Sequence, residues 1–168
     1  MQFLTSLLCL AAVAPAAIAP VQPNQPRRII GTTFSADLDL TNAGRETIDR
    51  ATVAFLGADR RPEFTIDFVA QYTGVKPAAP PSVVDIVVTD HPSNDEQPDA
   101  TMRVDGQPLA MNPRLKSRRS VVASIPFEDF LKLANATTIV ERAFDVELEF
   151  GAEQMRMLQM VAKRWAGQ

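Results

Sequence analysis

Glu63-Phe64-Thr65-Ile66-Asp67-Phe68-Val69-Ala70-Gln71-Tyr72 is the stretch on which the fold turns. Phe64, Ile66, Phe68, Ala70 and Tyr72 alternate with Glu63, Thr65, Asp67, Val69 and Gln71. Successive side chains of a strand point to opposite faces, so this period of two describes a sheet with one face in a core and the other toward water. Working outward, the same alternation precedes and follows it. Thr47 to Leu56 places Ala51, Val53 and Phe55 on one side, and Phe34, Ala36, Leu38 and Leu40 do the same before the turn residues Thr41-Asn42-Ala43-Gly44. Downstream, Gly74 to Ser82 holds Pro77, Pro80 and Pro81, which lack a ladder donor and read as a connector.

Val83-Val84-Asp85-Ile86-Val87-Val88 is β-branched enough for a central strand covered on both faces. Thr101 to Val104 and Gln107 to Met111 flank Asp105-Gly106, a pair suited to the positive φ angles of a tight hairpin, and Ser120 to Ile125 makes another strand. Pro126 then opens a helix in which Phe127, Phe130, Leu131 and Ala134 share a face, with Glu128 and Asp129 at its positive end. Val140 to Phe150 returns to strand with a bend near Asp145, and Glu153 to Trp165 is a second helix burying Leu158, Val161, Ala162 and Trp165. The expectation is a single α+β domain: a curved antiparallel sheet of about seven short strands, with two helices in its C-terminal part. In that arrangement the strands from Val83 to Ile125 form a meander.

The run Phe127 to Ala136, followed by Val140-Glu141, Phe150 and the Gln154 to Trp165 helix, resembles the C-terminal helix-strand-helix module of uncharacterised exported bacterial proteins. The resemblance covers roughly the last quarter of the chain and consists of packing positions. It implies architecture and export, and it carries no catalytic residue.

An address is legible at the other end. Phe3 to Ala19 holds no charge, contains the apolar run Leu7 to Val13 and ends in Ala17-Ile18-Ala19, the small-x-small pattern of a signal-peptidase site. Residues 1–19 are therefore expected to be a leader cleaved after Ala19, 20–30 a proline-rich tail, and 31–168 the domain. The apolar stretch is short, weakened by Pro15 and followed by proline-rich sequence, so no permanent membrane anchor is expected. Leu8 precedes Cys9 where a lipoprotein signal would carry a small residue, so no lipid anchor is expected either. Cleavage would also remove the single cysteine, leaving an exported, periplasmic or secreted chain without disulfides or thiol chemistry.

The residues also exclude several chemistries. Lys and Arg total 17 against 20 Asp and Glu, a balance without the basic footprint of a nucleic-acid binder. His91 is the one histidine, and no HExxH, GxSxG, GxGxxG or P-loop pattern occurs, so no cofactor is called for. Asp90, His91, Asp95, Glu96 and Asp99 are the densest oxygen and nitrogen ligands and form the candidate metal site, although the segment lacks the alternating donors and bend glycine of a calcium loop. Asn112 to Arg119 carries Arg114, Lys116, Arg118 and Arg119 without an acid and is the candidate anion-binding loop. Asp37 with Asp39, and Glu147 with Glu149, are spaced like glycosidase carboxylates, but the polar face of an amphipathic strand accounts for them. The leading expectation is a non-catalytic binding or accessory domain of the cell envelope, its partner an envelope or extracellular protein or a small ligand. The alternative is a metal-dependent or hydrolytic enzyme built on His91 and the acidic loop.

Overall fold

A computed structural model describes residues 27–30, 33–41, 46–74, 77–91, 100–143 and 146–168. Its elements are β1 (Arg27–Ile30), β2 (Thr33–Thr41), β3 (Glu46–Leu56), β4 (Pro62–Thr73), β5 (Val83–Asp90), β6 (Ala100–Val104), β7 (Gln107–Pro108), β8 (Arg114–Ser117), β9 (Ser120–Pro126), α1 (Phe127–Ala134), β10 (Ile139–Ala143), β11 (Val146–Glu149) and α2 (Ala152–Trp165). The domain is α+β with both helices in its C-terminal part, but its strands form two sheets rather than one, and they exceed the expected seven. The larger sheet has the order β2-β3-β4-β5-β9-β8 and is antiparallel throughout. The smaller has the order β1-β11-β10-β6-β7, with β1 parallel to β11.

The expected meander fails for a physical reason. β5 pairs directly with β9, Val87 opposite Val122, so the intervening hairpin is left out of the larger sheet. That hairpin is real: Asp105 and Gly106 adopt φ of 49° and 78°, and Arg103 pairs with Pro108. Its strand β6 instead joins β10, with Glu141 opposite Met102. The Asp105 carboxylate also accepts the backbone N–H groups of Thr137 and Thr138, both at 2.8 Å, so the turn fastens the connection between α1 and β10.

Inside, the sequence periodicities do their expected work. Phe64, Ile66, Phe68 and Ala70 of β4 and Ala51, Val53 and Phe55 of β3 are buried. Both helices cover this inner face. Phe130 of α1 lies between Phe68 and Trp165 of α2, with ring centroids 5.6 and 4.9 Å away. Phe150, after β11, sets its ring edge-on to Phe55 at 5.7 Å, and one continuous core takes in residues of both sheets and both helices. α1 has no side-chain cap at Pro126; the Phe127 N–H is taken up instead by the carbonyl of Ser82 at 3.2 Å. α2 ends in a Schellman arrangement: Gly167 has φ of 79°, its N–H donates to the Arg164 carbonyl, and that of Gln168 donates to Lys163.

The expected tail also shortens. Arg27–Ile30 is a strand, with Ile29 in the core and Arg28 paired with Glu149, so the sheet begins four residues earlier than the boundary at 31. Residues 1–19, and with them the leader, lie outside the described residues.

Candidate functional site

The larger sheet has a second face, opposite the helices. Cross-strand partners share a face, so the register can be read as rows running across the sheet. One row is Arg50, Val69, Asp85 and Ser124; the next is Thr52, Asp67, Val87, Val122 and Arg114. Each carboxylate is tied to a hydroxyl in its own row. Thr52 Oγ1 donates to Asp67 Oδ1 at 2.7 Å, and Ser124 Oγ donates to Asp85 Oδ1 at 2.6 Å.

These rows floor an open groove of about 750 Å³. Val87 and Val122 lie at its bottom, only 7% and 8% exposed although they face away from the core, and Leu115 stands at its rim, 57% exposed. Arg114 and Lys116 of β8 line the same rim. The segment expected as a basic loop is thus a strand followed by a tight turn. Ser117 pairs with Ser120, their hydroxyls are 2.8 Å apart, and Arg118 and Arg119 occupy the turn between them. All four basic candidates are exposed, and none is held in an ion pair among the described residues.

The metal candidates are placed differently. Asp90 ends β5 with its side chain buried, whereas His91 is exposed. His91 Nε2 lies 3.3 Å from Thr65 Oγ1, and its backbone N–H donates to the Glu63 carbonyl at 2.8 Å. The imidazole lines a shallow cleft of about 570 Å³ with Asp59, Arg61 and Glu63. Asp59 is already beside Arg61, and Glu63 binds Arg27 at 2.6 Å. Asp95, Glu96 and Asp99 lie outside the described residues, and no group of three metal-ligating side chains occurs within them. The Asp90 N–H donates to the Arg119 carbonyl at 2.8 Å, so Asp90 lies beside the basic turn. That proximity comes from the β5–β9 pairing and not from a meander.

Two further polar features sit elsewhere. Glu147 and Glu149, the second pair of spaced carboxylates, engage Arg103 and Arg28 on the outer face of the smaller sheet. Asp49, fully buried on the inner face of β3, receives the Arg164 guanidinium from α2 and the Tyr72 hydroxyl from β4, the latter at 3.3 Å. Burial pushes the Tyr72 phenol above its ordinary value, the adjacent Asp49 charge and hydrogen bond add to this, and Arg164 opposes it. No motif in the sequence points to this cluster. Its one signal is the alternation, which puts Asp49 on the same face as Ala51, Val53 and Phe55. It joins three elements and is a structural clasp between sheet and helix.

Among the described residues no helix is long and apolar enough to cross a membrane. No protein-family model, curated protein or solved structure matches the chain.

Proposed function

We propose that the chain is an exported, non-catalytic binding domain of the cell envelope or extracellular space, and that the outer groove of its larger sheet takes an anionic ligand. The observation that carries this reading is the coincidence of a wide groove, aliphatic side chains at Val87 and Val122 beside the hydroxyl-bonded carboxylates Asp67 and Asp85, and a rim of cations at Arg114 and Lys116. Apolar floors supply burial while a few placed charges orient a ligand, the usual division in binding sites. Cations without an ion-pair partner among the described residues have no internal pair to break when an external anion meets them.

The test is a titration of isotope-labelled protein with anionic probes, namely an acidic peptide, a sulfated polysaccharide and anionic phospholipid vesicles, followed by backbone resonances. At least one probe should perturb β5, β8 and β9, and Arg114→Glu with Lys116→Glu should weaken it by about tenfold or more, since charge reversal replaces attraction with repulsion. Perturbations confined to the smaller sheet, or binding indifferent to the double reversal, would reject the groove. Export has its own readout: the mature protein is expected to start at Pro20, and secreted material retaining Met1 would reject cleavage after Ala19.

A further inference from the structure

Resting on that reading of the groove, we infer that its ligand is an extended polypeptide segment, alternating acidic and aliphatic residues, which joins the larger sheet as a strand beyond β8. β8 is the last strand in the order β2-β3-β4-β5-β9-β8, and no described strand lies beyond it. It pairs through Arg114, Leu115 and Ser117 with β9 alone, and its four residues are all exposed. An edge of this kind offers backbone donors and acceptors to any chain that can lie alongside.

Charge decides which chain that is. Lys and Arg on an edge strand normally prevent pairing between copies, because two such edges bring like charges together. The same charges select a strand that carries acids. Arg114 and Lys116 stand two residues apart and both line the groove, so acids at alternate positions of an added strand, about 7 Å apart, meet both of them. Arg118 and Arg119 extend the basic rim around the turn, and Leu115, 57% exposed, offers apolar surface beside them.

A polypeptide fits this surface better than a lipid headgroup or a polysaccharide. Only a polypeptide can continue the strand ladder along β8, and exposed ion pairs each contribute little. Backbone pairing and contact with the groove must therefore supply most of the affinity, while the cations set orientation and choice of partner.

The probe is a fluorescent peptide of about ten residues alternating Glu and Val, compared by anisotropy with three twins, one alternating Lys and Val and two N-methylated on one or the other set of alternate amides. The Glu-Val peptide should bind saturably and more weakly as salt rises. Methylation on the pairing edge should lower affinity about tenfold or more, and the Lys-Val twin should not bind. Arg114→Glu with Lys116→Glu should abolish binding, and the milder Arg114→Gln with Lys116→Gln should weaken it, neither shifting the thermal midpoint. Equal binding of the Glu-Val peptide and its methylated twins, with methyls tried on either set of alternate amides, overturns strand addition but leaves the groove as an anion site. Binding of polysaccharide or vesicles without the peptide likewise overturns strand addition and keeps the anion site. If none of the probes binds, both the inference and the reading beneath it fail.

Discussion

Phe130→Ala removes the side chain on which the helices and the larger sheet converge. Phe130 is fully buried, and its ring centroid lies 4.9 Å from Trp165, 5.6 Å from Phe68 and 6.0 Å from Phe127. Truncating a buried Phe costs about 3–5 kcal/mol, the lost transfer energy plus the cavity left behind. Each aromatic pair adds about 0.5–1.5 kcal/mol beyond its area, and these partners come from β4, α1 and α2, so the cost should fall near the upper end. Against a typical total of about 5–15 kcal/mol that is a large fraction. At about 2–4 °C per kcal/mol, a loss of about 5 kcal/mol should lower the melting temperature by about 10–20 °C. Urea denaturation followed by far-UV circular dichroism measures the change, and the chain's single Trp, in contact with the deleted ring, gives a second optical probe. Lys132→Ala is the control: its ammonium reaches Asp129 at 2.7 Å on the solvent side of the same helix, where an ion pair contributes about 0–1 kcal/mol. Equal midpoints for the two variants, or a Phe130→Ala loss below about 1 kcal/mol, would refute the packing of α1 against β4 and α2.

Three more substitutions test the Asp49 clasp and the end of α2. Arg164→Met strands the Asp49 carboxylate in a site with no exposure and should cost about 3–5 kcal/mol, more than Asp49→Asn, because Arg164 is 40% exposed and can turn to water; equal losses would contradict the clasp. Tyr72 has its folded pKa raised, so the stability it contributes is fully present below the unfolded value of about 10 and is lost as pH climbs through the folded one. Tyr72→Phe should accordingly cost about 0.5–1.5 kcal/mol at neutral pH, and the gap from the parent protein should narrow in denaturation curves taken at strongly alkaline pH; a gap that widens there would reverse the sign. Gly167→Ala meets no close atom, only the Pro77 carbonyl 3.9 Å away, so its cost of about 1–2 kcal/mol should come from the positive φ alone and should be partly recovered by Asn.

The parts of this fold that can be read from the chain are those whose cause is local. The inward set Phe64, Ile66, Phe68 and Ala70 is a property of ten consecutive residues, and so are the Asp105-Gly106 turn and the apolar stripe of α2. Which sheet a strand joins is decided by partners far along the chain. β6 and β9 carry similar local signals, yet one pairs with β10 and the other with β5. β1 is obscure in the sequence because Arg27, Arg28 and Ile30 are exposed and only Ile29 is buried, too few apolar residues to make a period. β8 is hidden by its charges: Arg-Leu-Lys-Ser reads as a loop until β9 supplies a ladder for it. The basic residues are therefore legible as a set, but their alignment along a sheet edge follows from long-range pairing.

That alignment keeps the groove-lining residues off the face that carries the core. Val53, Ile66, Ile86 and Ala123 on the inner face are buried against the helices and belong to the core, whereas Thr52, Asp67, Val87 and Val122 occupy the opposite face. A strand offers alternate residues to each face, so the outer rows can change charge and shape without opening a cavity inside. The carboxylates of the outer rows illustrate the point. Asp67 and Asp85 accept hydroxyl hydrogen bonds from neighbouring strands, which holds them in the rows and leaves Arg114 and Lys116 at the rim without an acid partner among the described residues. Arg114 and Lys116 thus stand on β8, an edge strand of the larger sheet beyond which no described strand lies. On the proposed reading the cations would set the choice of partner while edge and groove supply affinity, and the aromatic cluster behind them carries the fold.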